Sequence, residues 1–201
     1  MVWRHHIITI LTRIGFKGKI LEYIQNFLKD RFIQVKINNV LSLKKKLANG
    51  VPQGSVLSVT LFLIAINDII NCIPAPVKGL LYADDLMIYC SGTQVDNCCE
   101  LLQDALNQIS QWCNYSGFRM AENKTQCMVF SNKKKQTTHP RLTLNNVPLR
   151  ETTCLKILGM YFDSKLRWNI HIDHLKHKCH QKLAIIRSLA SKNWGADKTP
   201  F

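Results

Sequence analysis

Gly79-Leu80-Leu81-Tyr82-Ala83-Asp84-Asp85-Leu86-Met87-Ile88-Tyr89 places two adjacent carboxylates between two apolar runs. Asp suits turns far better than strand interiors, so the stretch predicts a tight β-hairpin with Asp84 and Asp85 at its tip. Like charges side by side repel and raise a proton affinity unless something positive sits between them. A divalent cation is the usual remedy, because hard cations take oxygen ligands. A solvated Asp-Asp turn in an ordinary hairpin is the plain alternative, and the tetrapeptide by itself does not separate the two.

The chain has 201 residues, 46% of them hydrophobic, enough for one sizeable core and one domain by default. Its 27 Lys and Arg against 13 Asp and Glu give a net charge of +14. Such an excess points to a polyanionic partner, nucleic acid first, although composition does not separate nucleic acid from an anionic membrane surface. The eight cysteines lie mostly inside apolar segments without CxxC spacing, and no secretory leader precedes them. Reduced, mostly buried thiols in an intracellular protein are therefore expected, and a secreted disulfide scaffold is not. The longest apolar stretch, Val56 to Ile70, is broken by Asn67-Asp68 and too short to span a bilayer, so it reads as a core helix and no stable membrane association is expected.

Outward from the hairpin, helices and strands interleave. Ile7, Ile8, Leu11 and Ile14 recur at helical spacing before Gly15, and Ile20, Leu21, Ile24, Phe27 and Leu28 give a second amphipathic helix ending near Asp30-Arg31. Ile33, Val35 and Ile37 alternate as a strand, Asn38-Asn39 turns it, and Leu41, Leu43 and Leu47 return. Ser55 is placed to cap a helix running to about Ile73, ended by Pro74 and Pro76. Leu101 to Trp112 mark a long helix closed near Gly117, followed by short strands at Cys127–Phe130, Leu142–Leu144 and Leu155–Phe162, then a basic helix from about Ile170 to Leu189. This order predicts an α+β domain, a sheet with helices on one face.

Asn49-Gly50-Val51-Pro52-Gln53-Gly54-Ser55-Val56-Leu57-Ser58-Val59-Thr60-Leu61-Phe62, followed by Leu80-Leu81-Tyr82-Ala83-Asp84-Asp85-Leu86, resembles the reverse transcriptase of non-LTR retrotransposons. The flanks sharpen the likeness to the jockey-like group: Val2-Trp3-Arg4-His5, Ile24-Gln25-Asn26-Phe27-Leu28, Glu122-Asn123-Lys124-Thr125, Leu158-Gly159, Phe162-Asp163-Ser164-Lys165-Leu166-Arg167-Trp168, His171-Ile172 and Trp194-Gly195-Ala196-Asp197. One such block is chance; the ordered series over nearly the whole chain is specific.

The resemblance implies a polymerase palm, a ferredoxin-like sheet with helices packed on one face, with incomplete fingers and thumb. Residues 1–165 would be partial fingers and palm, and residues 166–201 the start of the thumb. It implies an RNA-directed DNA polymerase using Mg²⁺, with Mn²⁺ as a substitute, on an RNA template, a DNA primer and deoxynucleoside triphosphates. Asp84 would be the principal metal ligand and Asp85 the lesser one, with Tyr82 near the primer terminus, although a strand aromatic packed on the core fits Tyr82 nearly as well. Pro52, Gln53, Gly54 and Ser55 would lie against the template base and incoming nucleotide, consistent with a Gly- and Pro-punctuated loop feeding a helix N-terminus. Lys124 would approach the triphosphate and protonate the leaving pyrophosphate, where a lone surface lysine is otherwise solvated. Gly159 and Met160 would form the primer grip, since Gly lets backbone approach backbone. Val59 stands where relatives carry proline, which should cost rigidity rather than chemistry.

His171, His174, His177, Cys179 and His180 raise zinc, but the three leading histidines at i, i+3, i+6 spread around a helix, and interleaved Lys176, Lys178 and Lys182 fit a phosphate-contacting face better. Lys44-Lys45-Lys46 and Lys133-Lys134-Lys135 read as solvated turns first. In the family a third metal-ligating aspartate precedes the Val2–His5 block. The sequence starts after that position, so the expectation is an incomplete metal centre in this chain, which leaves a non-catalytic nucleic-acid-binding remnant as the second reading. The family's need to reach RNA and chromosomal DNA places it in cytoplasm and nucleus. Oligomeric state is not legible.

Overall fold

The i, i+3, i+4 apolar spacing near the start becomes α1 (Arg4–Arg13) and α2 (Lys19–Leu28). The computed structural model describes residues 3–133 and 139–190; Val2, most of the Lys133–Lys135 run and the Trp194–Asp197 block lie outside the described residues. After α2 come β1 (Phe32–Ile33), β2 (Lys36–Ile37), β3 (Val40–Leu41) and β4 (Lys45–Lys46). β2 and β3 are joined by Asn38 and Asn39 at φ 45° and 68°, the left-handed pair that a two-residue turn requires and that Asn tolerates. β1 pairs antiparallel with β4. Both faces of these ribbons are exposed, so the alternation of Ile33, Val35 and Ile37 does not bury one face here.

Next comes α3 (Val56–Ile66), which tightens into a 3-10 segment over Asn67–Cys72. One helix to Ile73 was expected; the ladder changes at Asn67-Asp68, where polar side chains interrupt the apolar run. β5 (Lys78–Tyr82) and β6 (Asp85–Tyr89) form the expected hairpin, and α4 (Val95–Ser116) is the long helix. Gly117 ends α4 in the left-handed conformation, φ 73°, donating its N–H to Cys113 O. A 3-10 turn, Glu122–Lys124, precedes β7 (Gln126–Cys127), shorter than the Cys127–Phe130 strand expected. β8 (Thr143–Leu144) and β9 (Val147–Pro148) make a small hairpin, and β10 (Arg150–Glu151) runs parallel to β7. β11 (Cys154–Ile157) and β12 (Met160–Asp163) split the predicted Leu155–Phe162 strand into a hairpin, and α5 (Asn169–Leu189) follows.

The class is α+β. Among the described residues the strands pair two at a time, in six ribbons, and not as one sheet. The described residues divide between two compact units, within Met1–Thr125 plus Arg141–Leu149 and within Gln126–Pro140 plus Arg150–Phe201.

The first unit holds the core. Ile7 and Leu11 from α1, Ile24 and Leu28 from α2, and Leu61 and Ala65 from α3 form one buried cluster. Ile66, Ile69, Ile109 and Cys113 form a second, bringing the 3-10 segment onto α4. Cys113 is buried, Cys179 exposed and the other six cysteines partly covered, so the expectation of mostly buried thiols fails. Cys72, Cys90, Cys127 and Cys154 stand at or next to segment ends. No helix among the described residues is long and apolar enough to cross a membrane.

His6 sits inside this core at 8% exposure, with Nε2 3.2 Å from Ala65 O and its ring edge-on to Trp112 and Phe118. Burial holds its pKa below the ordinary 6.5, opposed by the Ala65 bond and by Asp68. The unfolded chain therefore takes up this proton before the folded one, and stability falls as pH drops below about 6.5. Melting temperature is expected to decline between pH 7.5 and 5.5, and His6→Gln to flatten that decline; parallel slopes in both proteins would show that His6 is not the sensor.

Candidate active site

The β5–β6 register pairs Gly79 with Ile88, Leu81 with Leu86 and Tyr82 with Asp85. Leu81, Leu86 and Ile88 pack on the Ile66–Ile69–Ile109–Cys113 cluster. Strand alternation then turns Leu80, Tyr82 and Asp85 to the other face, where all three are exposed. Tyr82 is 66% exposed, so it is not the core aromatic it resembled. Ala83 and Asp84 make the two-residue turn, Ala83 at φ 53°. Asp84 thus stands at the tip, and Asp85 opens β6 beside Tyr82. The ion pairs among the described residues use Asp30, Asp68, Glu151 and Asp173, leaving both tip carboxylates available to an outside cation. Asp30 is held by Lys46 at 2.8 Å and Asp68 by Arg13, which removes both as substitute ligands.

Gly50 and Gly54 bracket the loop before α3 at φ 88° and 89°. A Cβ at either would meet open space, so backbone conformation rather than crowding calls for glycine. Val51 packs on the α1–α2–α3 cluster, Pro52 is half-buried, and Gln53 and Gly54 face solvent. Ser55 occupies the N-cap position of α3 with φ −96° and ψ 134°, but its hydroxyl makes no capping bond, contrary to expectation. Its carbonyl instead accepts from Ser58 N at 3.1 Å. Val59 lies in the first turns of α3 and is 60% exposed, so the absent proline leaves no hole in the core.

Lys124 ends the 3-10 turn and is exposed. The turn is pinned by Asn145 Nδ2 donating to Glu122 Oε1 at 2.7 Å, which holds the Glu122 carboxyl below its usual range. Asn145 belongs to the β8–β9 turn, itself tied to α4 by two hydrogen bonds between Gln103 and the Thr143 backbone, 2.8 and 3.0 Å. In the second unit Leu158 and Gly159, φ 47° and 88°, close β11–β12, and Met160 begins β12 at 42% exposure.

Over residues 1–162 the sequence matches the family described as reverse transcriptase (RNA-dependent DNA polymerase). The chain belongs to the reverse transcriptase family. It is 27% identical over 198 residues to a probable RNA-directed DNA polymerase from transposon BS of Drosophila melanogaster, covering 95% of this chain and 22% of that protein. It is also 27% identical to the RNA-directed DNA polymerase from mobile element jockey of the same species, and 28% to its Drosophila funebris counterpart, over 91% and 87% of the chain and 20% of each relative. The chain thus spans about a fifth of the length of these curated relatives. It is a reverse transcriptase fragment of non-LTR retrotransposon type.

Two features of this reverse transcriptase escaped the sequence reading. Asp163 accepts from the backbone N–H groups of Lys165, Arg167 and Trp168 at 3.0, 3.1 and 2.8 Å, capping the entry to α5 across a tight turn. The bond from Arg167, above all, keeps its carboxyl below the ordinary 3.8, and a carboxylate six positions before the first residue of a helix carries no familiar capping spacing. His171 and His174 pack against Tyr161, ring centroids 6.4 and 4.8 Å away, and Lys156 Nζ lies 5.4 Å from the same ring. The histidines are therefore joint residues between hairpin and helix, and no three metal-ligating side chains cluster among the described residues.

Ser55→Ala is expected to shift unfolding free energy by less than about 0.5 kcal/mol in urea titration, because no cap bond is lost. Asp163→Ala is expected to lower the helical signal of α5 in far-UV circular dichroism. The wild-type protein should lose the same signal only as pH falls through the depressed folded-state value, below about 3.8.

Proposed function

We propose that this chain carries the catalytic carboxylates of an RNA-directed DNA polymerase, adding deoxynucleotides to a DNA primer on an RNA template. The observation that supports this most is the exposed Asp84–Asp85 pair at the tip of a hairpin seated on the core. Two neighbouring hard-oxygen donors fit Mg²⁺, which proteins hold through one or two carboxylates with substrate phosphates completing the shell. Asp84 is the principal ligand and Asp85 the lesser one. When bound, the metal supplies activation of the primer hydroxyl and charge stabilisation on the departing pyrophosphate.

The chain's own residues do the rest by positioning. Pro52, Gln53, Gly54 and Ser55 lie against the template base and incoming nucleotide, Tyr82 against the primer terminus, and Gly159 and Met160 grip the primer. Lys124 holds a proton for the leaving group. Residues 1–165 belong to fingers and palm, the palm built on a ferredoxin-like sheet, and the thumb starts at about residue 166. The work is done where both RNA and chromosomal DNA are reached, in cytoplasm and nucleus.

With no third ligand gathered at the pair among the described residues, the 201-residue chain by itself is proposed to be inactive in primer extension. That same observation, with the +14 charge and the exposed basic α5, favours a second reading as a non-catalytic nucleic-acid binder.

Mn²⁺ titration followed by electron paramagnetic resonance, with template–primer and the next nucleotide present, separates them. The polymerase reading expects a bound Mn²⁺ that Asp84→Ala removes and Asp85→Ala weakens less. Steeply salt-dependent nucleic-acid binding with Mn²⁺ uptake unaltered in Asp84→Ala would leave only the second reading.

A further inference from the structure

Four consecutive backbone carbonyls, those of Leu47, Ala48, Asn49 and Gly50, accept hydrogen bonds from just two side chains. Arg4 donates from Nε to Ala48 O at 2.8 Å and from Nη2 to Leu47 O at 2.8 Å, with a second Nη2 bond to Ala48 O. Arg31 donates from Nη2 to Asn49 O at 3.2 Å and to Gly50 O. Both guanidinium groups also bond Leu28 O at the end of α2, Arg4 from Nη1 at 2.6 Å and Arg31 from Nε at 3.4 Å. The run of acceptors starts where the β1–β4 ladder stops and ends at the first residue of the Gly50–Ser55 loop.

Beyond the Leu47 N–H bond to Arg31 O at 2.8 Å the segment has no ladder partner, so its carbonyls would otherwise turn to water. The arginines hold them in one fixed path, and both use Leu28 O as a shared anchor. Neither guanidinium has a carboxylate partner among the described ion pairs, since nearby Asp30 is taken by Lys46. Burial, and secondarily the charge of Arg4, hold Arg31 below the ordinary guanidinium value, in keeping with two like charges sharing one anchor. A planar fork with five donors in rigid geometry does this; an ammonium on a flexible stem does not.

We propose that Arg4 and Arg31 are positioning residues that fix the path by which the chain enters the Gly50–Ser55 loop, and so set its engagement of the template strand and incoming nucleotide. The proposal rests on the reading of that loop as the template-facing one. A binding loop has to be held to a fraction of an ångström, and here the holding is done from behind by side chains that spend their donors on the protein's own backbone. Arg4 opens α1 and Arg31 lies between α2 and β1, so the clamp ties three sequence-distant segments at one point.

The test measures affinity of the full chain for a fluorescein-labelled RNA–DNA template–primer with Mg²⁺ and the next deoxynucleotide, across a salt series, below each variant's melting temperature. Arg31→Lys keeps the charge and loses the fork; it is expected to weaken binding on the order of tenfold. Arg31→Gln should weaken binding comparably without changing the slope of log affinity against log salt, because the side chain does not touch phosphate. Gln53→Ala reports on the loop itself and should also weaken binding, with the Arg31→Lys/Gln53→Ala pair less than additive.

Arg31→Lys binding like the wild type while Gln53→Ala binds weakly would overturn the positioning role alone. A salt slope lowered by about one in Arg31→Gln would make Arg31 a direct phosphate contact and overturn it as well. Unchanged binding in Gln53→Ala would overturn the loop reading and the proposal with it. If Arg31→Gln does not fold, Arg31→Lys and Arg4→Lys carry the comparison.

Discussion

Burial of Leu81, Leu86 and Ile88 against Ile66, Ile69, Ile109 and Cys113 is the contact on which the site depends. A lone two-stranded hairpin is marginal in water, so β5–β6 owes its register to that apolar seat. Side chains alternate along a strand, and a slip of one residue would exchange the faces. Fixing three aliphatic side chains inward therefore fixes Tyr82 and Asp85 outward and Asp84 at the turn. The carboxylates need no partner of their own to be placed; their position is a by-product of packing one to four residues away. The seat in turn needs the α3-to-3-10 transition, which presents Ile66 and Ile69 to α4 and to the hairpin together.

Much of the fold was legible because its signals are local. Helical spacing marked α1, α2 and the body of α4, the basic run after residue 170 marked α5, and Asn38-Asn39 marked the β2–β3 turn. The failures share a cause. Alternation in Ile33, Val35 and Ile37 says that a strand has two kinds of face, but not that anything covers one of them. Hydrophobicity in Val56–Ile70 says that a segment is buried, but not that its hydrogen-bond pattern shifts from i−4 to i−3 at Asn67. Thiol burial was overstated for the same reason, since an apolar neighbourhood in sequence is not an enclosed one in space.

The site divides along the same line. Asp84, Asp85 and the glycines of the loop announce themselves, because a doubled charge and positive φ values are properties of single positions. The Arg4 and Arg31 forks, the Asn145–Glu122 bond and the Asp163 cap join residues between two and 44 positions apart. Nothing in the residue types at those separations distinguishes them from solvated surface charges. Ser55 is the converse case: the right residue at the right place, with its hydroxyl unused by the helix it precedes.

The ribbons of β1–β4 and β2–β3 leave strand edges unpaired and apolar side chains such as Val40 and Leu41 in solvent. Open edges of this kind invite strand pairing between molecules, and lysine on the edge is a common deterrent. Lys36, Lys44, Lys45 and Lys46 all sit in this region and are exposed. Part of the chain's basic excess thus stands where it discourages such pairing. Salt near 1 M shrinks the screening length to about 3 Å and weakens that repulsion, while the apolar edges remain. Colloidal stability at these edges accordingly draws on a few lysines, and conditions of high salt erode it.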